Sequence, residues 1–165
     1  LGDLALRYLA AFGPATVRDL QAWSGLTGLR AVVDSLHPHL RVFRSESGQV
    51  LFDLPDAPRP GPDVPAPVRF LAPLDNVVLA YADRSRFMTD EQRRYVGFEA
   101  VLMVDGFVRG LWSVRRQADR ADLTVKLFDP LGADEPAVRE EGEALLRFVA
   151  PEVDEHRLEF VPVET

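Results

Sequence analysis

The 165-residue chain contains no cysteine. That excludes a disulfide framework, a thiol nucleophile and a thiolate-bound metal, and it suits a reducing cytoplasm, the expected compartment. Long apolar runs are missing as well. The longest unbroken one, Val77 to Ala82, has six residues against the ~20 that cross a bilayer. Asp3 and Arg7 interrupt the only apolar stretch near the start, so neither a membrane span nor a signal peptide is expected. Lysine is nearly absent: eighteen of the 19 cationic side chains are Arg, which suits bidentate phosphate contacts and equally fits a bias in coding composition. Apolar residues at 47% and charged residues at 27% are ordinary for a globular protein, which sets aside disorder and fibrous classes. The chain opens at Leu1, from which it is expected to be part of something longer.

Positive charge is also in deficit. The 19 cations face 26 acidic residues, a net charge of −7, the wrong sign for a polyanion partner. The distribution is uneven, however. Arg84 to Arg116 holds seven Arg and four acidic residues, while Asp119 to Thr165 holds five basic and thirteen acidic ones.

What is present divides the chain in three. Between Pro55 and Pro67, six prolines alternate with small or charged residues, a pattern that supports neither helix nor sheet ladder and reads as a stiff linker. Before it, Leu1, Ala5, Leu9 and Phe12 recur at helical spacing up to Gly13 and Pro14. Thr16 and Asp19 form a weak capping box for a second helix through Leu20 and Trp23, ended by Ser24 and Gly25. Thr27 is expected to cap a third, whose inner face is Leu29, Val32, Val33 and Leu36, with Pro38 as its stop. Leu40 to Phe43 and Val50 to Leu54, separated by Ser45 to Gly48, form a hairpin. Helices in this order with a closing hairpin describe a winged helix-turn-helix over 1–55, then a linker over 56–67.

Beyond the linker the period shifts toward two. Val68 to Leu71 reads as extended, Val77 to Tyr81 as either a strand or one buried helical turn, and Thr89 to Val96 as a brief capped helix. Asp105 and Gly106 between Ala100–Val104 and Phe107–Val114 are the dipeptide a type I′ hairpin favours. Leu123, Val125 and Leu127 alternate with polar residues as a third strand. Pro136 opens a helix with Val138, Leu145, Leu146 and Val149 on one face, and Leu158 and Phe160 mark a last strand. The expected fold class is therefore α+β: a winged helix-turn-helix followed, over 68–165, by a β-rich, barrel-like antiparallel domain with one packed helix.

Chemistry is sparse. His37, Pro38 and His39 place two imidazoles close together without a third ligand, so no metal site is expected. There is no nucleophile elbow and no phosphate-binding glycine loop, and no cofactor is expected. Glu140, Glu141 and Glu143 read as a solvated helix face. The third helix offers only Arg30 as a base-edge or phosphate donor, with Asp34 one turn on, and the wing tip Ser45 to Gly48 is not basic, although Arg41 and Arg44 lead into it. The more cationic candidates are Arg84, Arg86, Arg93 and Arg94 with Arg115, Arg116 and Arg120, unless Asp83, Asp119 and Asp122 pair with them locally.

The run Leu74, Asp75, Asn76, six apolar residues, Asp83, Arg84, Ser85, Arg86, together with Ala22 to Leu26 upstream and Leu102 to Val108 with Trp112 downstream, resembles the AlkZ/YcaQ-type winged-helix DNA-binding family over roughly Leu4 to Phe148. The resemblance implies tandem winged helices followed by a β-rich domain, and DNA glycosylases that remove alkylpurines or unhook crosslinks. It also implies that the catalytic Gln-containing signature precedes Leu1, so that this chain is the C-terminal half only, partnered by the N-terminal half of the same protein and inactive alone. Gln117, Ala118 and Asp119 match the signature's letters in the wrong part of the alignment, and Tyr81 stands where relatives carry His. No catalytic residue is assigned. The expected double-stranded DNA contacts are Arg30, Arg84, Arg86, Arg115, Arg116 and Arg120. The competing expectation is a non-enzymatic winged-helix regulator or protein-interaction module.

Overall fold

A computed structural model describes residues 1–164, which group into two units: Leu1–Val64 with Asn76–Arg84, and Pro65–Asp75 with Ser85 onward.

The first unit begins with α1 (Gly2–Phe12), α2 (Val17–Ser24) and α3 (Arg30–Leu36), followed by the antiparallel strands β1 (Arg41–Arg44) and β2 (Val50–Asp53). Its core holds Ala5, Tyr8, Leu9, Val17, Leu20, Leu29, Val33 and Phe52. The helical spacing located α1 correctly, but Leu1 lies outside the core at 70% exposure while Tyr8 fills it. The capping box expected at Thr16 is present: its Oγ1 accepts from the Asp19 N–H at 3.0 Å, and the Asp19 carboxylate accepts from the Thr16 N–H at 2.9 Å. Gly25 then closes α2 in the left-handed region.

Thr27 does not cap α3. The helix enters through Leu29 after Gly28 at φ 72°, with no side-chain cap. Instead the Leu29 N–H donates to Oε1 of Gln21 on α2, at 3.0 Å, so a side chain one helix away satisfies a donor that Thr27 was expected to serve. Gly13 is needed for close approach, since a Cβ there would run into the Asp53 carboxylate and the Leu9 carbonyl. The chain returns to this unit as α4 (Asn76–Leu79). The ambiguous apolar run is thus a helical turn, with Val78 and Ala80 buried.

The second unit is a five-stranded sheet ordered β3 (Arg69–Leu71), β4 (Ala100–Val104), β5 (Phe107–Arg116), β6 (Arg120–Leu127) and β7 (Glu155–Pro162). The β4–β5 turn is built as expected, with Asp105 at φ 50° and Gly106 at φ 77°. Two features depart from the expected antiparallel barrel. Strand β7 runs parallel to β6, because the 15-residue α6 (Glu135–Val149) carries the chain back to the end at which β6 began, a crossover that only parallel pairing requires. The sheet is also open: β3 and β7 are its edges, and no pairing among the described residues joins them. The short α5 (Asp90–Arg93) starts at a second capping box, formed by Thr89 and Gln92.

Helix α6 lays Val138 and Leu146 on Leu123, Val125 and Leu102. The approach is close at Gly142, where a Cβ would meet the Cδ1 of Leu158 and the Cδ2 of Leu123. Gly142→Val is therefore expected to destabilise this unit by about 1–3 kcal/mol through overpacking, read as a lower denaturant midpoint. An unchanged midpoint would show that helix and sheet can separate without cost.

Candidate nucleic-acid interface

The expected DNA-contacting residues fall in both units. In the first, Arg30 is exposed at the start of α3 and lies 3.9 Å from Asp34, one turn on. Both side chains are more than half exposed, so the pair contributes little. Arg84 is partly buried at the end of the returning segment. In the second unit Arg86 is exposed near the boundary, and Arg93 and Arg94 are exposed at the end of α5.

Arg115, Arg116 and Arg120 sit together where β5 turns into β6, but strand alternation sends them to opposite faces. Arg116 donates to the Val149 carbonyl in the last turn of α6 and lies 3.6 Å from Glu152, so it ties the hairpin to the carbonyl-rich end of that helix, where a cation is favoured. Arg115 and Arg120 face the other way, toward Asp122. Nε of Arg120 lies 2.9 Å from Oδ1, Nη2 of Arg115 lies 3.7 Å from Oδ2, and Gln117 donates through Nε2 to Oδ2 at 3.0 Å. The hairpin thus combines exposed cations with the local acidic pairing weighed against them.

Arg157 of β7 joins this group and was missed by sequence reasoning. It lies directly across from Asp122 in the β6–β7 register, and Asp122 lies across from Arg115 in the β5–β6 register. No local periodicity reports a parallel pairing made across a helix.

The remaining candidates have structural partners. The Tyr81 hydroxyl donates to the Phe12 carbonyl at 2.8 Å. His37 and His39 form a 3-10 turn, with the His37 ring edge-on to Phe52, and the described residues hold no cluster of potential metal ligands. Gln117 to Asp119 form the exposed hairpin tip. No helix among the described residues is long and apolar enough to cross a membrane.

Residues 1–148 match the family of AlkZ-like DNA glycosylases. Among solved structures, Streptomyces sahachiroi DNA glycosylase AlkZ aligns with a TM-score of 0.76 at 23% identity, over 97% of this chain and 45% of that one. At this identity the likeness concerns the fold, and the chain spans less than half the length of that protein. No curated protein sequence matches. A match over so much of the chain establishes its kinship: it belongs to the AlkZ-like DNA glycosylase family.

Proposed function

We propose that the chain is the DNA-binding portion of a DNA-repair glycosylase of this family, working in the cytoplasm beside an N-terminal half that supplies bond cleavage. The observation that carries the reading is the family match over residues 1–148. The first unit supports it in detail. Three helices precede the β1–β2 hairpin, and Ala15, between α1 and α2, bridges Phe52 through paired N–H and carbonyl groups at 3.0 and 2.8 Å. The bridge ties the hairpin to the helices, which supports reading it as a wing. On this reading residues 1–55 are the winged module, 56–67 the Pro-rich connection, and 68–165 the β-rich module.

Double-stranded DNA is the partner, and Arg30, Arg84, Arg86, Arg115, Arg116 and Arg120 are its contacts. They act chiefly by neutralising phosphates, since α3 offers a single base-edge candidate, Arg30, too few to read a sequence. The chain alone cleaves no glycosidic bond. Its affinity for labelled duplex is expected to fall linearly with salt on logarithmic axes, with a steep negative slope. Release of an alkylated base by the isolated 165 residues would contradict the division of labour.

A second reading, a non-enzymatic winged-helix regulator or protein-interaction module, is favoured by the net charge of −7 and by the pairing of Arg30 with Asp34. Failure to bind duplex even at low salt would select it.

A further inference from the structure

The open face of β5, β6 and β7 carries a cup in the sheet surface. Arg115, Asp122 and Arg157 stand in one row across the three strands, and Arg120, two residues before Asp122, shares their face. With Leu158 and Glu159 they line a cavity of about 390 Å³. The lining holds three guanidinium groups against two carboxylates.

Those carboxylates are already engaged. Asp122, with its side chain only 14% exposed, takes the contacts from Arg120, Arg115 and Gln117 described above. Glu159 accepts from the Thr124 hydroxyl at 2.8 Å. Arg157 is braced from outside the cup by Glu155, its Nε donating at 2.6 Å. A guanidinium has five N–H donors in a rigid fork. Arg157 uses Nε on Glu155, whereas Arg115 is only ion-paired to Asp122 at 3.7 Å, and the buried Arg120 Nε has no hydrogen-bond partner among the described residues although it lies 2.9 Å from Oδ1. Charge pairing with Asp122 keeps Arg115 and Arg120 beside Arg157 while leaving their donors unused, an arrangement that lowers the ordering cost of binding an oxyanion with several acceptor oxygens.

We propose that Arg115, Arg120 and Arg157 form a seat for a phosphate group, with Asp122 as the residue that positions Arg115 and Arg120. The phosphate comes from a DNA strand or from solution. The seat rests on the nucleic-acid reading only for the first of these sources.

The test is a titration of the chain with inorganic phosphate, following the NMR signals of the arginine side-chain N–H groups. Saturable shifts are expected at Arg115, Arg120 and Arg157 but not at Arg139, whose guanidinium lies over the Phe160 ring. Arg157→Gln is expected to weaken phosphate binding about tenfold. Asp122→Asn is expected to weaken it severalfold although it removes a negative charge, whereas a diffuse cationic surface would bind more tightly. Unperturbed guanidinium signals, a silent Arg157→Gln or a tighter Asp122→Asn would overturn the seat. Competition between inorganic phosphate and labelled duplex supports the seat and identifies DNA as its source. Saturable phosphate binding by a chain that does not bind duplex supports the seat with free phosphate and refutes the nucleic-acid reading instead.

Discussion

Replacing Asp19 by alanine is expected to cost the first unit about 3 kcal/mol and to lower its thermal midpoint by roughly 10–20 °C. Asp19 is 2% exposed and its two oxygens serve different parts of the unit. Oδ2 accepts from the N–H and hydroxyl of Thr16, at 2.9 and 2.8 Å, closing the start of α2. Oδ1 accepts from the Ala82 N–H at 2.9 Å and the Asp83 N–H at 3.4 Å, holding the returning segment that follows α4. Alanine removes the side-chain half of the capping box and leaves the partly buried N–H groups of Ala82 and Asp83, more than sixty residues away, without their acceptor. Asn in the same place keeps one acceptor oxygen and is expected to lose about half as much. Calorimetry of both variants checks the account: a negligible loss for Asn beside a full loss for Ala would show that the packing of the side chain, not its paired acceptor oxygens, carries the effect.

The second large effect concerns Asp53, whose side chain is 1% exposed and lies 2.9 Å from Nη1 of Arg59. Arg59 comes from the Pro-rich segment. It also donates to the carbonyls of Leu54 and Pro55 at 3.1 and 2.6 Å and lies over the Phe43 ring. The segment that reads from sequence as a stiff linker is therefore pinned at this point to the β1–β2 hairpin. Arg59→Ala leaves a buried carboxylate without its cation and is expected to cost about 3 kcal/mol. Asp53→Asn in that background should recover a good part of the loss, since the uncompensated charge causes most of it. A double-mutant cycle measures this directly, with an expected coupling of at least about 1 kcal/mol. Additive effects would mean that the two side chains act independently.

These two carboxylates mark where local sequence ends as a guide. The Thr16–Asp19 capping box was legible because its partners are three residues apart, and so was the Asp105–Gly106 turn, whose backbone demands name its residues. Asp19 as an anchor for Ala82 and Asp53 as a partner for Arg59, six residues on, were not legible, because nothing in hydrophobic period or turn chemistry encodes which backbone or guanidinium a buried acid will meet. Gln21 displaced Thr27 at the entry to α3 for the same reason. The open, partly parallel sheet was missed because a strand's alternation shows which face is wet but not which neighbour it pairs with or in which direction. The candidate interface follows this pattern: Arg115, Arg116 and Arg120 were legible as a cluster at a turn, while their division between two faces and the addition of Arg157 depend on tertiary register.

The central claim is that this chain meets DNA through its arginines, and the salt dependence of duplex binding tests it most directly. The parent chain is expected to bind with a steep negative slope. Arg115→Ala, Arg116→Ala and Arg120→Ala combined are expected to make that slope shallower by roughly 2–3 units, near one for each phosphate no longer neutralised. A triple variant with the parent's affinity and slope, or a parent chain that does not bind duplex at low salt, would contradict the claim.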